Sequence, residues 1–67
     1  SSSDEDRRAA IQASKSLRQQ ASVFAATVEV LKTSDETPDM TPLEEGVKQL
    51  LVEARELRAL ADDLDLD

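Results

Sequence analysis

The chain has 67 residues, no Cys, no His, a single Phe as its only aromatic residue, and a net charge of −7. A chain this short buries only about 60% of the surface that its unfolded form exposes, and it has neither disulfides nor the usual ligands of structural zinc to offset chain entropy. The acidic balance, without clustered Lys and Arg, excludes nucleic acid and an anionic membrane surface as expected partners.

The first six residues are Ser1-Ser2-Ser3-Asp4-Glu5-Asp6. They lack the basic start and apolar core of a secretory signal, and no apolar run approaches the roughly 18 residues of a membrane span, so no membrane insertion is expected. A cytoplasmic or nuclear setting is the corresponding expectation. Without an initiating Met, the chain reads as an excised or processed piece. The acids suit a helix N-terminus, where the dipole favours negative charge. Ser3 with Asp6, or Ser2 with Glu5, is spaced to cap that helix. The same Ser-x-x-acid spacing resembles acidophilic kinase sites.

A first helix is predicted from about residue 4 to 32, where Gly and Pro are missing and Ala, Gln, Arg and Leu are frequent. The Thr33-Ser34-Asp35-Glu36-Thr37-Pro38-Asp39-Met40 stretch breaks the pattern, and a loop over about 33–41 is expected, with few groups able to pack. A second helix is predicted over about 42–63. Thr41 is its expected N-cap, Pro42 its first residue, and Glu44 completes Thr-x-x-Glu. A hydrophobic staple does not follow, because Met40 would face Glu45. Four acids close the chain (Asp62, Asp63, Asp65, Asp67), and the dipole disfavours them there, so a frayed tail over 64–67 is expected. The whole is read as one helical-hairpin module.

Both helical segments carry a heptad seam with alternating steps of four and three. The first reads Ala10, Ser14, Leu17, Ala21, Phe24, Val28, Leu31; the second reads Leu43, Val47, Leu50, Ala54, Leu57, Ala61, Leu64. Folded back at the loop, Leu31 meets Leu43, Phe24 meets Leu50, Ala21 meets Ala54 and Ala10 meets Leu64. The expected fold is therefore all-α: an antiparallel helical hairpin, completed as a four-helix bundle by dimerisation. Alternate seam positions are small, and the pattern resembles close-packed antiparallel Ala-rich coiled coils. Gly46, flanking the seam opposite Thr27, fits the same close approach. The register also sets Lys32 opposite Glu44, which is favourable, Gln20 opposite Glu53, which is neutral, and Arg18 opposite Arg58, which is unfavourable unless Asp62, one turn below Arg58, screens it.

An enzyme is not expected. The common acids, bases and nucleophiles reduce to carboxylates, Lys, Ser and Thr, none placed to be desolvated. No catalytic residue, cofactor or metal site is predicted. Asp35-Glu36 and the C-terminal acids lack the Gly turn and ligand spacing of a calcium loop.

What remains is a face. On the first helix Ala9, Ala13, Ser16, Gln20, Val23, Thr27 and Val30 form an uncharged stripe, while Lys15, Arg18, Glu29 and Lys32 lie on the other side. On the second, Leu51, Val52 and Leu60 are apolar outside the seam. The expected interaction residues are accordingly Ala13, Ser16, Gln20, Val23, Thr27, Val30, Leu51, Val52 and Leu60. The expected partner is a second copy or another helical protein.

Two local resemblances bear on function. Leu17, Gln20, Ala21, Ser22, Val28 and Lys32, with Phe24 and Leu31 between, resemble the last cytoplasmic helix of bacterial chemoreceptors, over sixteen residues of 67. That resemblance implies a signalling coil; in that family a flexible tail follows this helix, whereas here a second helix is predicted. The closing Ala61-Asp62-Asp63-Leu64-Asp65-Leu66-Asp67 resembles acidic docking and transactivation segments. The leading expectation is a non-enzymatic protein-interaction and oligomerisation module. Its alternatives are a regulatory or signalling segment of a larger protein, or a small acidic chaperone or inhibitor of a basic partner.

Overall fold

The computed structural model describes residues 2–34 and 39–65 as two helices packed side by side in a hairpin 54 Å long and 14 by 11 Å across. Helix α1 spans Ser2–Lys32 and α2 spans Thr41–Asp65. There is no strand among the described residues. The loop centre with its Asp35-Glu36 pair, and the ends Ser1, Leu66 and Asp67, lie outside them.

Burial follows both seams and sorts them by size. Ala10, Ser14, Ala21 and Val28 are buried on α1, and Ala54 and Ala61 on α2. Leu17, Phe24, Leu43, Val47, Leu50, Leu57 and Leu64 are only half-buried, and Leu31 is exposed. Small side chains let the two backbones approach and then disappear between them. The large ones reach past the line of contact, where a two-helix unit has nothing to cover their outer edges. Four of the six buried hydrophobic residues described are alanines, so the core is thin for its length.

The helix ends differ from the sequence expectation in three places. First, α1 begins at Ser2, so Ser2 and Ser3 already lie inside it and Ser3 is not its cap. Second, α2 begins at Thr41, but its first backbone bond runs from the Glu44 N–H to the Met40 carbonyl at 2.9 Å. The capping acceptor is two residues earlier than expected: the Asp39 carboxylate accepts the Thr41 N–H at 3.0 Å. Thr41 is therefore the first helical residue and not the N-cap. Met40, read as part of a loop with little to pack, is buried at 6% exposure. Its thioether is long and unbranched, suited to filling an irregular gap at the turn.

Third, α2 runs on to Asp65 where a frayed tail was expected from residue 64. Leu64 is half-buried as a seam position, and that packing outweighs an unfavourable dipole term of a few tenths of a kcal/mol to about 1 kcal/mol. At the other end, α1 closes with a tightened turn. The Thr33 and Ser34 N–H groups donate to the Val30 and Leu31 carbonyls at 3.1 Å, and the Thr33 hydroxyl donates to Val30 O at 2.7 Å. Lys32, in the last turn where a cation suits the dipole, lies 3.5 Å from Glu29 and 3.6 Å from Glu44 across the hairpin. The Lys32–Glu44 pair is the one expected from the seam register. Exposed pairs of this kind contribute about 0–1 kcal/mol, so it reports the register more than it holds it. Arg58 Nε meets Asp62 at 3.5 Å on its own helix, which is how that arginine is screened.

Candidate protein-interaction groove

The hairpin has two long sides, and they are unlike. Residues just after the large seam positions share one side: Lys32 meets Glu44 there, and Leu51 and Arg58 follow at heptad spacing on α2. Residues just before the small seam positions share the other: Ala13, Gln20 and Thr27 on α1, with Gly46, Glu53 and Leu60 on α2. The Phe24 ring lies beside Gly46, 3.7 Å from the place a β-carbon would take.

That second side holds an open groove of about 670 Å³. Phe24, Val28, Leu31 and Leu43 form its apolar part, and Ser16, Gln19, Gln20, Val23 and Thr27 complete it. No charged side chain lines it. Its polar groups are engaged locally. Gln20 Nε2 donates to Ser16 Oγ at 3.4 Å, and Thr27 Oγ1 donates to the Val23 carbonyl at 3.0 Å. Both bonds lie within α1, and Ser16, Gln20 and Thr27 remain exposed.

Of the residues expected to make an interface, Ser16, Gln20, Val23 and Thr27 line this groove. Ala13 is half-buried beside the seam on the same side of α1. Val23 and Val30 are 63% and 69% exposed, high values for valines. Leu60, 50% exposed, belongs to the groove side of α2 by its heptad position. Leu51 and Val52, 43% and 38% exposed, do not line the groove. Leu51 belongs to the Lys32–Glu44 side and Val52 to the back of α2, so the structure does not bring these two together with the α1 stripe.

The sequence does not assign Phe24, Leu31 and Leu43 to the surface, because they are seam residues and read as covered; Val28 is covered, at 3% exposure. Gln20 and Glu53, set opposite each other by register, turn instead to their own helices: Glu53 accepts from Gln49 Nε2 at 3.4 Å.

A carboxyl with a lowered pKa lies elsewhere. Asp39 is held below its ordinary value by the backbone N–H of Thr41, and further by the Thr41 hydroxyl. This is a cap, not a reactive group. Every acid from Asp4 to Asp63 that the structure describes is exposed. Among the described residues no group of three or more acids is placed to hold a metal ion, and no helix is long and apolar enough to cross a membrane. Compared with known proteins, the chain matches no family model, no curated protein and no solved structure.

Proposed function

We propose that the hairpin is a non-enzymatic protein-interaction module that works by helix-to-helix packing, pairing with a second copy to make a four-helix bundle. The observation that carries this reading is the uncharged groove beside two valines more than 60% exposed. The thin core adds to it. A two-helix unit orders its residues at roughly 1.5 kcal/mol each, and half-buried Leu17, Phe24, Leu43, Val47, Leu50 and Leu57 leave apolar surface that a neighbour would cover. A helical partner laid in such a groove gains burial from residues spaced one turn apart, the general mode of helix-in-groove recognition. The exposed acids limit open-ended association, since like charge resists stacking.

Sedimentation at micromolar concentration tests the proposal. The parent is expected as a dimer, and Val23→Glu combined with Val30→Glu as a folded monomer with unchanged helical circular dichroism. A parent that sediments as a stable monomer overturns self-association. A double variant that sediments like a dimeric parent overturns the face.

A further inference from the structure

The bases of this acidic chain gather on one side. Apart from Arg7, which falls on the seam line, every Lys and Arg from Arg8 to Arg58 occupies the heptad position just after a seam residue. They therefore share the long side that faces away from the groove. Near the loop these bases are neutralised. Lys32 lies 3.5 Å from Glu29 and 3.6 Å from Glu44, and Lys48 lies 3.4 Å from Glu45.

Two heptads further from the loop the same geometry is filled differently. Arg18 stands fourteen residues before Lys32, and Arg58 fourteen after Glu44. The register that joins Lys32 to Glu44 thus sets two arginines side by side. Lys15 is one turn from Arg18, and Arg55 one turn from Arg58; all four are exposed. Against them stands Asp62, 3.5 Å from Arg58 on its own helix. Among the described residues no acid lies within ion-pair distance of Lys15, Arg18 or Arg55. One heptad from Arg58 toward the loop, Leu51 is 43% exposed, opposite Ala25 in the same register.

We propose that this patch, separate from the groove and on the other side of the hairpin, docks an acidic protein segment that carries an apolar side chain. Charge complementarity names the occupant. Two facing guanidiniums repel, and nothing within the hairpin offsets the Arg18 charge; a carboxylate laid between Arg18 and Arg58 bridges them, because each planar fork matches carboxylate geometry. Leu51 lies about 10 Å along the axis from Arg58, at 1.5 Å per residue. The segment accordingly offers a carboxylate and an apolar side chain about seven residues apart if it is helical, or about three apart if it is extended. The patch is also short. Glu29, Glu44 and Glu45 bound it toward the loop and Asp62 toward the open end, so a long polyanion or a flat anionic membrane meets acids at its borders, whereas a short acidic segment ends within it.

The probe is a fluorescein-labelled peptide, Glu-Glu-Leu-Glu-Glu-Leu-Glu-Glu, followed by anisotropy, with its all-Gln counterpart as control. The parent is expected to bind the acidic peptide and not the Gln peptide, and to weaken as salt shortens the Debye length. Arg18→Glu should bind about tenfold or more weakly, the loss of a charge-assisted contact. The same variant should melt higher than the parent, because it recreates across the hairpin the acid–base pairing of Lys32 with Glu44. A gain in stability with a loss of binding is what a residue placed for a partner shows and a merely structural one does not. Leu51→Ser should weaken binding several-fold with no change of charge, and Lys48→Gln should bind like the parent, since Lys48 already faces Glu45. A parent that does not bind the peptide, equal binding of the Gln peptide, or unchanged binding by Arg18→Glu overturns the proposal. Displacement of the peptide by phosphatidylserine vesicles or single-stranded DNA at lower concentration than by unlabelled peptide overturns it too, and assigns the patch to a different anion. Sedimentation reports on the groove alone, so failure of self-association leaves this surface standing, and the reverse.

Discussion

The ring of Phe24 lies against Gly46, its Cζ and Cε2 3.7 and 3.8 Å from where a β-carbon would stand. Those are ordinary van der Waals distances, so the close approach of the helices does not require glycine at this position, and none of the described residues has a positive φ.

Gly46→Ala is therefore expected to stabilise the hairpin by up to about 1 kcal/mol, the difference in helix propensity between the two residues. Thermal melting followed by circular dichroism checks it. A lowered melting temperature would mean that the Phe24 ring has to shift to admit the methyl group.

Ser14 is 1% exposed, and its hydroxyl has no hydrogen-bond partner among the described residues. A buried unpaired hydroxyl carries its desolvation cost without return, and Ala is also the better helix former. Ser14→Ala should raise stability by about 1 kcal/mol, read as an upward shift in the denaturant midpoint with an unchanged slope. A neutral result would show that the hydroxyl bonds to its own helix in solution.

Ala21 and Ala54 are 2% and 0% exposed at matching seam positions. Replacing either with Leu forces extra methylene and methyl groups between closely spaced backbones, at a cost of about 1–3 kcal/mol. Both variants should melt earlier than the parent. Unchanged melting in both would place this layer outside the helix contact.

Asp39 makes the start of α2 sensitive to acid. Its native carboxyl titrates below the ordinary 3.8 because the ionised form accepts the Thr41 N–H. A lowered native pKa contributes stability that is complete above the unfolded value and is lost as pH falls through the native value. Asp39→Ala should accordingly lower the melting temperature at neutral pH. The difference from the parent should shrink below about pH 4, where the parent's carboxyl is protonated in the unfolded chain and then in the native one. A difference that persists undiminished at pH 2 would assign the effect to something other than the charged cap.

The hairpin was legible in the sequence because its cause is local and periodic. Two seams at heptad spacing, separated by a stretch with Pro38 and clustered Thr, Ser and Asp, dictate two helices whose stripes must meet. The small-residue rule along them foretold that Ala21, Ala54 and Ala61 would vanish from the surface, and the same register placed Lys32 beside Glu44. The exposed Val23, Val30, Leu51, Val52 and Leu60 were equally readable, since each lies off its seam.

What tertiary structure alone decided depends on how far one helix reaches past the other. Met40 is buried at the turn, which no local pattern encodes. Asp39 displaced Thr41 as the capping group once the chain direction at the turn was set. The acidic end of α2 stays helical to Asp65, with Leu64 half-buried at the seam position that register sets opposite Ala10. The groove arose in the same way. Seam periodicity says that Phe24, Val28, Leu31 and Leu43 point toward the partner helix. Only the packed hairpin shows that Val28 is covered while Phe24, Leu31 and Leu43 are not, and that the uncovered edge falls on the side where α1 has no charge.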